Sequence, residues 1–138
     1  MPLFPSQEWM EAFCERVRSH PDAPEAAEAL RGVYRFVVEP AGPLRQRHVY
    51  DMSIEPSGSG AGPTVTCLDG EHMSPRLTLT ADYSRWRQLI LGELDLTTAF
   101  MLRRLRVSGD LGPLLSRASS ARPLTDALGQ VDSRFPDG

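Results

Sequence analysis

Apolar residues Trp9, Met10, Phe13, Cys14 and Val17 follow polar Ser6 at helical spacing, and Pro21 interrupts the pattern. Ser6 is suited to accept a backbone N–H as the helix cap, while the residue before a proline is pushed out of the α region. Pro24 suits a first helical position, so a second short helix runs up to Gly32. From Val33 the period falls to two. Tyr34, Phe36 and Val38 alternate with Val33, Arg35 and Val37, and Pro40 and Gly42 turn the chain. Residues 46–55 alternate again, with His48, Tyr50, Met52 and Ile54 on one face; 64–68 and 76–81 supply two more strands. These four read as consecutive antiparallel strands in a meander-like sheet. Asp82 caps a helix carrying Trp86, Leu89 and Ile90 that stops at Gly92, and Thr98–Leu102 forms another. Leu105 and Val107 mark a fifth strand, and Asp110 caps a last helix bearing Leu111, Leu114, Leu115 and Ala118, broken or kinked at Pro123. The tail from about residue 130 is expected to fray. A strand reached through two helices reads as a crossover, so the fifth strand is expected to join in parallel. The fold class is α+β: a five-stranded mixed, mainly antiparallel sheet with helices over one face.

Length and charge narrow the function. The 138 residues suit one domain, 1–138. Fifteen basic against 18 acidic residues give a net charge of −3, the wrong sign for a dedicated nucleic-acid binder. All fifteen basic residues are arginine, which excludes lysine Schiff-base chemistry. No run approaches the ~18 apolar residues of a membrane span, and Met1-Pro2-Leu3-Phe4-Pro5 lacks the features of a signal peptide. A cytoplasmic location is expected. Cys14 and Cys67 make neither a disulfide framework nor a metal cluster, and Cys14 reads as a small core residue.

The search for chemistry is mostly negative. The glycines of 58–62 lead into a strand rather than a helix N-terminus, so they read as a loop and not as a phosphate cradle. Asp69, Glu71 and His72 lack zinc-ligand spacing and read as a turn. No nucleophile elbow precedes a helix, and the three histidines are dispersed. Arg103, Arg104 and Arg106 read first as a solvated strand edge, with a site for anionic groups as the functional alternative.

The stretch from Gly92 to Asp110 carries Gly92, Ala99, Phe100, Arg104, Leu105, Arg106, Gly109 and Asp110 at a spacing that resembles the sterol carrier protein type-2 family, or non-specific lipid-transfer proteins. The element order agrees from about residue 7 to 120. Family members often carry Pro where Leu96 stands and Gly where Arg103 stands, and the family's peroxisomal ending is not matched by Pro136-Asp137-Gly138. The resemblance implies an apolar tunnel between sheet and helices for fatty acid, fatty acyl-CoA, sterol or phospholipid, with no catalysis and no cofactor or metal. On that reading Tyr34, Phe36, Trp86, Ile90, Phe100, Met101, Leu111, Leu114 and Leu115 line the tunnel, and Arg104 and Arg106 attract a head group at its mouth. The expected partner is a lipid or acyl chain, with no nucleic acid and no stable membrane insertion; a homodimer or partner protein stays open. The competing reading is a non-catalytic interaction or accessory module on the same fold. A small hydrolase or isomerase is the third.

Overall fold

A computed structural model of the chain describes residues 1–56, 63–71, 73–110 and 122–136. Helices α1 (Gln7–Ser19) and α2 (Ala23–Leu30) precede strands β1 (Gly32–Glu39), β2 (His48–Glu55), β3 (Thr64–Asp69) and β4 (Leu77–Asp82). Helices α3 (Tyr83–Ile90) and α4 (Leu96–Met101), strand β5 (Arg106–Gly109) and helix α5 (Arg122–Gln130) follow. The expected caps form: Ser6 accepts from the Trp9 N–H at 3.1 Å and Asp82 from the Arg85 N–H at 2.9 Å. No helix among the described residues is long and apolar enough to cross a membrane.

The sheet is five-stranded and mixed, in the order β3-β2-β1-β4-β5. Two expectations about it are corrected. The first four strands are not a meander, because β4 lies beside β1 and runs parallel to it. The link from β3 to β4 is only seven residues, 70–76, yet it crosses the sheet on the face away from the helices. A buried ion pair holds it there. Arg35 on β1 donates to both carboxylate oxygens of Asp51 on β2, at 2.8 and 3.1 Å, and to the Met73 carbonyl at 2.7 Å. The Met73 N–H in turn donates to Asp51 Oδ2 at 3.1 Å. The second correction concerns β5, expected in parallel, which is antiparallel to β4 with Leu79 opposite Val107. Helices α3 and α4 are joined by a reversing turn at Gly92, so the chain re-enters the sheet near the end it left.

The helices cover the face bearing Tyr34, Val38, Tyr50, Met52, Ile54, Leu77 and Leu79, all buried. Two further expectations change here. Cys14 is joined by a disulfide to Cys67, tying α1 to β3 with Cα atoms 6.2 Å apart. The two are 53 positions apart in the sequence, and the crossing of α1 over β3 brings them together. The tail does not fray through the described residues. Arg134 exchanges backbone hydrogen bonds with Pro2 and Phe4, Val131 and Phe135 are buried, and the Arg87 guanidinium lies 4.9 Å over the Phe135 ring. Pro123 lies within the last described helix, Arg122–Gln130, so the chain is helical at and after the proline.

Candidate functional site

Phe36 lies in the middle of β1 on the helix-covered face, between Tyr34 at 0% and Val38 at 2% exposure, yet is itself only partly buried. Its ring meets Phe13 of α1 edge-on at 5.8 Å and Trp86 of α3 edge-on at 6.0 Å. The Trp86 indole is fixed by donating to the Val37 carbonyl at 2.9 Å. Among the described residues these rings border two voids, of about 40 and about 10 Å³, that share walls. Both touch Phe13, Phe36, Trp86 and Leu128; the larger also touches Tyr34, Leu79, Leu96 and Leu124, and the smaller Trp9, Met10 and Tyr50.

The titratable groups on these walls are committed elsewhere. The Tyr34 hydroxyl donates to the Leu30 carbonyl at 2.7 Å, and burial pushes its pKa up to about 12. Burial, helped by the charge of Asp69, pushes Tyr50 up to about 12 as well. The fully buried Asp51 is on the opposite face, against Arg35. A larger hollow of about 510 Å³ between Arg16, His20 and Gln130 is open to solvent. Among the described residues no group of three or more His, Cys, Asp or Glu could hold a metal ion.

Of the residues expected to line a tunnel, Tyr34, Phe36 and Trp86 are on the void walls. Ile90 is buried in the core but borders neither void. Phe100 and Met101 are corrected: they are 38% and 74% exposed, because α4 turns the Leu96 side inward and its C-terminal end outward. Leu111, Leu114 and Leu115 lie outside the described residues, as do Gly58–Gly62 and His72. Arg104 is exposed. Arg106, opposite Thr80 in the register, points to the face away from the helices, since its neighbour Val107 shares the covered face with Leu79. Neither arginine is brought together with the void walls.

Sequence reasoning missed Phe13, Leu79, Leu96, Leu124 and Leu128. Phe13 was visible as part of an apolar stripe, with nothing to say what it faced. Leu124 and Leu128 stand at i, i+4 directly after Pro123, a helical spacing that the expected break at the proline hid.

The segment that carries the family resemblance is mostly turn chemistry. Helix α3 ends with the Gly92 N–H donating to the Leu89 carbonyl and the Glu93 N–H to the Gln88 carbonyl, with Gly92 at φ 78°. That is the Schellman pattern, which favours glycine. Ala99 is fully buried, and its carbonyl accepts from the Arg104 and Leu105 N–H groups. A Cβ on Gly109, at φ 111°, would fall 2.4 Å from the Arg76 carbonyl oxygen, so no side chain fits there. Asp110 accepts from Arg76 Nε at 3.1 Å.

No curated protein matches the chain in sequence. Solved structures do match in fold. A sterol carrier protein 2 structure aligns over 91% of this chain and 97% of its own, with 20% identity and a TM-score of 0.72. Palmitated SCP2L2 of Aedes aegypti aligns over 88% and 92%, with 18% identity and a TM-score of 0.55. The ubiquinone synthesis protein UbiJ-SCP2 aligns over 96% and 98%, with 18% identity and a TM-score of 0.58. These likenesses give the fold. The family description "SCP-2 sterol transfer family" matches residues 10–117, which takes in all five strands. With that match added to the mixed sheet, its covered apolar face and its glycine turns, the chain belongs to the SCP-2 sterol transfer family.

Proposed function

We propose that the chain binds the apolar part of a lipid between the sheet and helices α1, α3 and α5, and carries or presents it without catalysing a reaction. The observation that carries this reading is the partial exposure of Phe36 at the centre of a covered sheet face. A phenylalanine in the middle of a packed core is normally closed off. Here it borders unfilled space whose other walls are apolar. Each methylene of an acyl chain buried there contributes about 0.8 kcal/mol, so a long chain binds without specific polar contacts. Fatty acid, fatty acyl-CoA, sterol and phospholipid all fit that chemistry. The palmitated relative makes an acyl chain the first ligand to try. The reading without catalysis is supported by the titratable groups on the void walls among the described residues, the Tyr34 hydroxyl donating to the Leu30 carbonyl and the Tyr50 hydroxyl 3.4 Å from His48 Nδ1.

The voids are far smaller than the ~150 Å³ cavity that admits a benzene molecule. On this reading, entry between the described residues requires side chains to part, and Leu124 and Leu128 of α5 face the rings across the larger void. Tyr34, Phe36 and Trp86 form the proposed permanent wall, with Leu111, Leu114 and Leu115 kept as proposed additions.

Native mass spectrometry with lipid extraction identifies a co-purified ligand, and a fluorescent acyl chain reads uptake. Leu128→Trp fills both voids at an overpacking cost of about 1–3 kcal/mol. It is expected to weaken uptake at least about tenfold while circular dichroism stays native. Unchanged uptake in the folded variant would overturn the site. The small size of the voids favours one alternative, an accessory module that binds no lipid, and a ligand-free protein that takes up no acyl chain would establish it.

A further inference from the structure

The corner between α4 and β5 keeps apolar surface in water. Phe100, Met101 and Leu102 are 38%, 74% and 55% exposed, and Arg103 and Arg104 follow directly, both exposed, with exposed Arg106 opening β5. The guanidinium groups of Arg103, Arg104 and Arg106 pair with no described residue. Three unpaired positive charges within four positions contrast with a chain whose net charge is −3.

The backbone adds an independent observation. Arg103 has φ 59°, and among the described residues it alone is a non-glycine in the left-handed region. Its N–H donates to the Phe100 carbonyl at 3.1 Å and the next N–H, of Arg104, to the Ala99 carbonyl at 2.8 Å. This is the helix-ending position that glycine occupies most easily. A charged side chain stands where the backbone favours none, beside three exposed apolar residues.

We infer that this corner docks on the surface of a bilayer containing anionic phospholipid. Phe100, Met101 and Leu102 enter the interface, and Arg103, Arg104 and Arg106 meet the phosphates of the head groups. A bilayer suits the patch better than a protein does. Six residues on a narrow turn fall well short of the roughly 20–30 residues per side of a standard protein interface, whereas a bilayer needs no matching shape. The inference stands apart from the lipid-carrying reading, since docking requires no ligand between sheet and helices.

Co-sedimentation with phosphatidylcholine vesicles, with and without phosphatidylglycerol, tests it. The protein is expected to bind only vesicles containing phosphatidylglycerol. Arg103→Gly should weaken that binding roughly fivefold without lowering the melting temperature, and Met101→Asp should weaken it too. Failure of the unmodified protein to bind, or equal binding by the Arg103→Gly variant, would overturn the inference; a corner made for a protein partner gives the first of these results. Uptake of a fluorescent acyl chain without vesicles separates the two readings. Uptake that is absent while anionic vesicles still bind removes the carrier function and leaves docking in place. Uptake unchanged while vesicles fail to bind does the reverse.

Discussion

The two edges of the sheet are β3 and β5, and they are finished in opposite ways. At β3, helix α1 lies alongside and its side chains bond the edge: Gln7 Nε2 donates to the Cys67 carbonyl at 3.2 Å and Arg18 Nη2 to the Val65 carbonyl at 3.0 Å. The Cys14–Cys67 disulfide then fastens helix to strand. At β5 the strand has four residues, of which three are exposed, and the preceding corner shows apolar and arginine side chains to solvent. An unpaired strand edge invites association with other chains, and proteins blunt it by covering it or by shortening and charging it. This chain uses the first device at β3 and the second at β5. The difference teaches that the β3 flank is held shut by a disulfide and hydrogen bonds, while the β5 corner keeps its side chains in solvent.

The largest break in that comparison removes what both edges share. Asp51 is 0% exposed, and without it the Arg35 side chain, 16% exposed, is left with the more distant, half-exposed Glu71 carboxylate at 4.0 Å. Removing one member of a buried ion pair costs about 3–5 kcal/mol, so Asp51→Ala should shift the urea midpoint strongly and loosen both flanks together. Loss of one flank alone would show that the β3–β4 crossover is not the common anchor. The next effect confines itself to the closed flank. Replacing both cysteines by alanine opens a loop of 53 residues and should cost about 2–4 kcal/mol. Amide exchange should quicken in α1 and β3 and stay unchanged in β5. A reducing cytoplasm would produce the same state by converting the bridge to two thiols.

The pattern along the chain was informative where one residue decides one local outcome. Ser6 and Asp82 announced their helices, and the period-two runs announced the strands. Strand neighbours were not readable in that way. The seven-residue link between β3 and β4 looks like a hairpin connection, and only the pairing of β4 with β1 shows that it crosses the sheet, where Met73 bonds to Arg35 and Asp51. The candidate site was half legible for a related reason. Phe36 and Trp86 sit on strong stripes, but a stripe says that a face is apolar and not whether the space before it is filled. Phe100 and Met101 show the converse error, since apolar residues at a helix end were assigned inward when the turn after them points outward.

The smallest effect is the most discriminating, because α3 and α4 end with the same pair of hydrogen bonds and differ in the residue that turns the chain. Gly92 holds its left-handed backbone freely, with nothing within 4 Å of where a Cβ would stand. Arg103 holds φ 59° at the strain that a Cβ brings, on the order of 1–2 kcal/mol. Arg103→Gly removes that strain but gives the unfolded chain more freedom, which returns about 0.4–1 kcal/mol. The net gain should be about 0.5–1 kcal/mol, or roughly 2–3 °C in melting temperature for a chain of this size. Gly92→Ala at the twin position should lose a similar amount, as the mirror control. If Arg103→Gly stabilises the fold while Gly92→Ala weakens it, the arginine is held against the preference of its own backbone, and its reason lies in what its side chain meets outside the protein. If Arg103→Gly is itself destabilising, the side chain contributes to the fold, and the contrast between the two helix ends loses its functional meaning.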